Sequence, residues 1–185
     1  MRNVEIKARV ESLDGARQVA RRLGAAHQWT ADQVDTYFRT LDGSRLKLRQ
    51  MPGRPAELIA YRRPDAPGPK MSDYQVMAVA DPAGKGAELA EKHAVACVVS
   101  KSRELWLLSQ VRIHLDRVRG LGDFVEFEVV LGEGIDEEAG RAQAEALMRA
   151  FGLRQGDLIA ASYADLMGGQ GAAGRCQVSM LSPDD

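Results

Sequence analysis

Charged residues recur at every second position in five stretches of this chain. They are Glu5, Lys7 and Arg9 in NVEIKARV, Lys47 and Arg49 in RLKLRQM, Lys101 and Arg103 in KSRELW, Arg112, His114 and Asp116 in QVRIHLD, and Glu126 and Glu128 in FVEFEVV. In a β-strand that spacing turns each set to one face. Lys and Arg in such numbers suit the oxygens of a polyanion, Arg through its forked donors. Carboxylates beside the same anion would repel it unless a divalent cation stood between them, and Mg²⁺ or Mn²⁺ takes hard oxygen ligands of this kind. Glu5, Glu126, Glu128 and Asp116 are therefore candidate metal ligands, and the cations are candidate phosphate contacts.

A single strand with a polar face ordinarily turns that face to water. Here, however, Thr, Ser and Gln, usual on solvated strands, are scarce on the charged faces. A sheet that closed with these faces inward would enclose a water-filled channel with many cations and a few carboxylates on its walls. Such a channel suits a triphosphate, which carries about four negative charges near neutral pH.

The elements that must position these residues follow from the same alternation. Residues 3–10 read as a first strand, with Val4, Ile6, Ala8 and Val10 on its apolar face. Ser12 and Asp14 are plausible caps for a helix over 16–23 that stops at Gly24. QVDTYFRT and RLKLRQM flank the turn signal Asp42-Gly43 and predict a hairpin. AELIAYRR is a short strand closed by Pro64, PDAPGPKMSD a loop, YQVMAVA a further strand, and the breaker DPAG precedes a helix near 86–93. From Val95 two strands meet in a turn near Ser109, RGLGD makes a Gly-rich turn, and FVEFEVVL is the last strand. DEEAGRAQAEALMRAF, 136–151, is a helix with acids in its first turn and Gly152 as its stop. Residues 168–185, glycine-rich and poor in apolar side chains, read as a mobile tail.

Composition bounds the partners. At 185 residues the chain fits one domain. With 25 Lys plus Arg against 26 Asp plus Glu it has no general attraction to nucleic acid or an anionic membrane, so any anion site is local. Cys97 and Cys176 match no metal spacing and no apolar leader precedes them, which predicts a reducing, cytoplasmic location without a disulfide. No apolar run approaches the roughly 20 residues that span a bilayer.

NVEIKARV, KSRELW, VRIHLDRVRGLGDFVEFEV and the late SYADLM resemble the CYTH superfamily, the triphosphate tunnel metalloenzymes, and look most like its bacterial class IV adenylate cyclase branch. Order and spacing match over nearly all of residues 1–167. The resemblance implies an α+β fold, a closed antiparallel β-barrel of about eight strands with flanking helices. It further implies a tunnel that binds a small-molecule triphosphate (ATP, thiamine triphosphate or inorganic triphosphate) with one or two divalent metals. The family's opening pair of glutamates and a lysine falls on Asn3, Glu5 and Lys7, so the first glutamate is missing. Glu5 is then a metal ligand, Lys7 and Arg9 phosphate contacts, and Asn3 a neutral oxygen donor. Glu126 and Glu128 match the acidic pair of the late strand, Lys101 and Arg103 the Lys-x-Arg, and Arg49 the arginine of the hairpin strand. Either Arg62 or Arg63 points inward, and Tyr163 matches a tyrosine that packs or caps the tunnel. Glu5, Lys7 and Glu126 are the residues this likeness places in catalysis, with a cyclase first and a triphosphatase second; a binding module without chemistry is the rival class.

The remaining features have ordinary readings. His114 is more often a hydrogen-bonded bystander than a base, Asp35 and Tyr37 are structural choices, and Trp29 and Trp106 pack between barrel and helices. Gly120 and Gly122 are turn residues, since no GxGxxG stands between a strand and a helix. The helix over 136–151 covers an apolar stripe, with a homodimer contact as its second reading.

Overall fold

A computed structural model of the protein describes residues 1–132 and 134–169. Eight strands are joined antiparallel: β1 (Arg2–Arg9), β2 (Ala26–Phe38), β3 (Arg45–Gln50), β4 (Ala56–Arg62), β5 (Lys70–Val79), β6 (Val95–Leu108), β7 (Val111–Val118) and β8 (Gly122–Val130). They close into a barrel in the order β1-β5-β4-β3-β2-β6-β7-β8. Helix α1 (Leu13–Arg22) follows β1, α2 (Pro82–Lys92) follows β5, α3 (Glu137–Ala150) follows β8, and α4 (Tyr163–Gly169) ends the described chain. No helix among the described residues is long and apolar enough to cross a membrane.

The main apolar core lies outside the ring. Val4, Ile6 and Ala8 of β1, Ile113 and Leu115 of β7, and Val125, Phe127 and Val129 of β8 pack against Leu13, Ala16 and Ala20 of α1 and Ala144 and Leu147 of α3. Burying each of the larger of these side chains stabilises by roughly 1.5–3 kcal/mol. Gly140 sets how closely α3 approaches β1, because a Cβ there would stand 2.7 Å from Leu131 Cδ2 and 3.1 Å from Val4 Cγ2. The alternation that sends these residues outward sends Asn3, Glu5 and Lys7 into the barrel. One end of the interior is filled by a second cluster: Tyr37, Cys97, Val99, Val118 and Phe124 meet Tyr163 of α4. The segment leading to α4 is stitched to β1 by Ile159 N donating to Lys7 O at 2.8 Å and by a bridge between Ala8 and Leu158.

Three elements differ from the sequence expectation. β5 begins at Lys70, where a loop was expected, because the proline and glycine signals stop at Pro69 and the next four residues pair with β1, Glu5 opposite Lys70. β2 starts at Ala26, its period broken by a bulge at Gln28. α2 starts at Pro82, in what reads as a breaker, because Asp81 caps it by accepting from Gly84 N and proline suits a first turn. The expected tail lies outside the described residues, as does Cys176, except that Gly168 and Gly169 continue α4.

Candidate active site

The barrel interior holds a cavity of about 430 Å³. Its walls present eight Lys and Arg side chains, Lys7, Lys47, Arg49, Arg54, Arg63, Lys101, Arg103 and Arg112, and four glutamates, Glu5, Glu57, Glu126 and Glu128. The register explains why distant segments meet. Across β1 and β8 Glu5 stands opposite Glu128 and Lys7 opposite Glu126, and across β7 and β8 Arg112 stands opposite Glu128 and His114 opposite Glu126.

Each glutamate is turned to a cation. Glu126 accepts from Lys7 Nζ at 2.8 Å on one oxygen and from Arg103 Nη2 at 2.9 Å on the other. Glu5 accepts from Arg63. Glu128 has Arg112 Nη1 at 3.5 Å and His114 Nε2 at 3.4 Å, the latter at ion-pair distance without hydrogen-bond alignment. Burial would raise the Glu126 carboxyl, yet Lys7 and Arg103 hold it well below the usual range. Burial would raise the Glu128 carboxyl as well, yet His114 and Arg103 together bring it down to about 2. Glu5 goes the other way, raised by burial and then by the neighbouring Glu126 and Glu128. Like charges directly opposite on a sheet repel, and Glu5 with Glu128 is such a pair.

Two further carboxylates stand behind the cations and do not line the cavity. Asp116 accepts from Lys101 Nζ at 3.0 Å, from Arg103 Nε and Nη2 at 2.6 Å each, and from the Tyr163 hydroxyl at 2.9 Å. Asp35 accepts from Lys47 Nζ at 3.0 Å, Arg49 Nε at 3.0 Å and Gln33 Nε2 at 3.0 Å. Two acids thus orient four of the cations that face the cavity. Burial lowers Lys101 to about 7, with Arg103 adding to the effect, and lowers Lys47 to about 8 against the pull of Asp35. Tyr163 closes this end, its ring 4.1 Å from Lys7 Nζ and 4.9 Å from Lys101 Nζ.

The structure brings Glu5, Lys7, Lys47, Arg49, Arg63, Lys101, Arg103, Arg112, Glu126 and Glu128 to one cavity. It does not bring Asp116, Arg9 or Arg62. Asp116, expected among the metal ligands, is saturated by cations and Tyr163. Arg9 is exposed at the strand's end, donates to Leu121 O and lies over the Phe124 ring. Arg62 points outward to Asp42, because the inward parity of β4 is odd: Glu57, Ile59 and Tyr61 line the cavity, and Arg63 follows them. Trp29, expected between barrel and helix, lines the cavity instead, whereas Trp106 is buried in the outer core as expected. Tyr61, Ser72, Tyr74 and Ser162 also line the wall and carry no charge that would single them out in the sequence. Among the described residues no three His, Cys, Asp or Glu side chains converge as a ready-made metal cluster. The donor chemistry still fits a hard cation: the buried Asn3 Oδ1 has no hydrogen-bond partner and lines the same wall as Glu5 and Glu128.

A family model described as the CYTH domain matches residues 1–163. Among solved structures, the PH1012 protein of Pyrococcus horikoshii OT3 is similar with a TM-score of 0.79 at 25% identity, over 89% of this chain and 98% of that one. A candidate adenylate cyclase from Vibrio parahaemolyticus has a TM-score of 0.73 at 21% identity, over 90% of this chain and 97% of its own. A candidate adenylyl cyclase from Hippeastrum, described with a dominant triphosphatase activity, has a TM-score of 0.63 at 18% identity, over 91% and 96%. At these identities the last two show the shared fold. No curated protein matches the chain.

Proposed function

The chain belongs to the CYTH domain family, and from that premise we propose that it is a metal-dependent enzyme acting on a triphosphate held in the barrel, converting ATP to cyclic AMP and pyrophosphate. The observation that carries this reading is the convergence of Lys7, Arg63, Lys101 and Arg103 with Glu5, Glu126 and Glu128 on one cavity. A simple anion receptor gains nothing from three carboxylates facing its ligand. The tunnel domain is taken as residues 1–167, in a cytoplasmic protein.

In this reading Lys47, Arg49, Lys101 and Arg103 grip the phosphates, and Asp35 and Asp116 hold those four in place before the anion arrives, so little reorganisation is needed. Lys7 and Arg63 exchange their glutamates for phosphate oxygens. Glu5, Glu128 and the Asn3 carbonyl oxygen are the residues that would hold Mg²⁺ or Mn²⁺, with Glu126 beside them. Such an ion, when bound, lowers the pKa of the attacking hydroxyl and stabilises charge on the leaving oxygens. In cyclisation the ribose 3′-oxygen bonds to the α-phosphorus as the bond to pyrophosphate breaks. Hydrolysis of the terminal phosphate by water is the second reading, favoured by the activity described for the Hippeastrum neighbour and served by the same cradle.

The deciding experiment incubates the protein separately with ATP, thiamine triphosphate and inorganic triphosphate in Mg²⁺ or Mn²⁺ and separates the products. Cyclic AMP with pyrophosphate supports the cyclase, and orthophosphate the triphosphatase. Metal and triphosphate binding without turnover would leave a receptor, with Asn3 standing where the family resemblance puts a glutamate.

A further inference from the structure

The two ends of the cavity differ in chemistry. The far end is cationic and stopped by Tyr163. The mouth carries Trp29, Met51, Arg54, Val76 and Leu105. Trp29 faces inward by the unbroken alternation of β2, in step with Asp35 and Tyr37, and the bulge lies just before it: the pairing with β6 passes from His27 opposite Trp106 directly to Trp29 opposite Leu105, with Gln28 left over. An extra residue moves the side chains beyond it to the other face of the sheet. His27 and Trp106 accordingly meet edge-to-face outside the barrel, with centroids 5.1 Å apart, while Trp29 joins the inner wall. The exposed Arg54, in the turn between β3 and β4, lays its guanidinium 4.3 Å from the Trp29 ring centroid.

Half-exposed indole with a guanidinium over it adds little for an inorganic triphosphate, for which Lys47, Arg49, Lys101 and Arg103 stand on the cavity wall. It does suit a flat ring attached to the end of the chain that faces the mouth. Aromatic faces stack any base, and a cation fixed over Trp29 disfavours a ring that is itself positive.

Resting on the triphosphate reading above, we propose that Trp29 and Arg54 form a subsite for an uncharged planar heterocycle, so that the site takes a nucleoside triphosphate in preference to inorganic triphosphate or to the triphosphate of a cationic ring. The alternation of β2 puts Trp29 on the inner wall, and the bulge at Gln28 turns the preceding His27 to the outer face.

The test uses bis-methylene analogues of ATP and of inorganic triphosphate, which neither reaction cleaves, titrated calorimetrically with Mg²⁺ present. Trp29→Ala is expected to weaken the ATP analogue about tenfold, the worth of stacking one base, and to leave the inorganic analogue within about twofold. The chain has two tryptophans, so in a Trp106→Phe background Trp29 fluorescence reports directly: the ATP analogue quenches it and the inorganic analogue does not. Arg54→Ala should narrow the preference for ATP over thiamine triphosphate. Equal weakening of both analogues, no weakening of either, or quenching by thiamine triphosphate as strong as by ATP overturns the subsite while leaving the triphosphate site intact. If the unaltered protein binds neither analogue, the parent reading falls and this one with it.

Discussion

Asp116 takes two arms of the Arg103 guanidinium, Nε and Nη2, each at 2.6 Å. The same guanidinium reaches forward to Glu126 at 2.9 Å. Arg103 is thus fixed between an acid that never meets the cavity and one that does. Fork-on-fork geometry of this kind holds a plane as well as a charge.

Asp116→Asn keeps the shape and removes the charge behind Lys101 and Arg103. Breaking a buried pair from one side costs about 3–5 kcal/mol, so the urea midpoint should fall sharply, and the triphosphate concentration for half-saturation should rise. An unchanged midpoint would show that the pair contributes nothing to the fold.

Glu5→Gln and Glu126→Gln should each lower Mg²⁺- or Mn²⁺-dependent turnover by about a hundredfold or more, the scale of removing one well-placed electrostatic group, while circular dichroism at assay temperature shows the fold retained and the melting temperature falls, since each breaks a buried pair from one side. Mn²⁺ binding followed by electron paramagnetic resonance should weaken in Glu5→Gln. Full activity in both variants would sink the metal assignment.

Arg63→Ala and Arg62→Ala are adjacent substitutions with opposite expectations. Arg63 lines the cavity and Arg62 is paired with Asp42 outside it. The first should raise the triphosphate concentration needed by roughly tenfold or more, the loss of one charge-assisted contact. The second should leave it within about twofold, since exposed pairs contribute little. Steady-state kinetics on the two proteins decides it.

Triphosphate affinity should decline as pH rises through about 7 and then about 8, where Lys101 and Lys47 lose their protons. Binding restores those protons, so calorimetry in buffers of different ionisation heat should register proton uptake. For folding the sign is separate. Lys101 is depressed from 10.5 to about 7, so between those values the unfolded chain holds more protons and this group makes stability rise with pH. Glu128, lowered from 4.5 to about 2, contributes stability above 4.5 that is lost as pH falls through 2. Urea midpoints across pH, with Lys101→Met and Glu128→Gln as references, separate the two.

The strands that carry the site were legible because charge at every second residue has one structural meaning, and the apolar residues between, Val4, Ile6 and Ala8, define the other face. What charge alone does not reveal is which partner a carboxylate faces: Asp116 and Glu126 look alike in the sequence, yet one anchors cations and the other meets the cavity. Arg62 and Arg63 were separable only by the parity of Tyr61 and Ile59, which a short strand ending at proline leaves ambiguous. Trp29 was misplaced because the strand signal in the sequence begins at Gln33, whereas β2 starts at Ala26 and carries the parity of Asp35 and Tyr37 back to Trp29, and Lys70 because strong turn residues stop one position before it.

Among the described residues, Tyr163 and the apolar residues around it stopper one end of the barrel, which leaves the site to be entered from the end where Trp29 and Arg54 stand. On the reaction proposed above, ATP enters phosphates first and traffic runs last in, first out. Cyclic AMP, formed nearest the opening, departs before pyrophosphate, which lies deepest among the cations. On that reading pyrophosphate is the product expected to compete with the next ATP for the same cations.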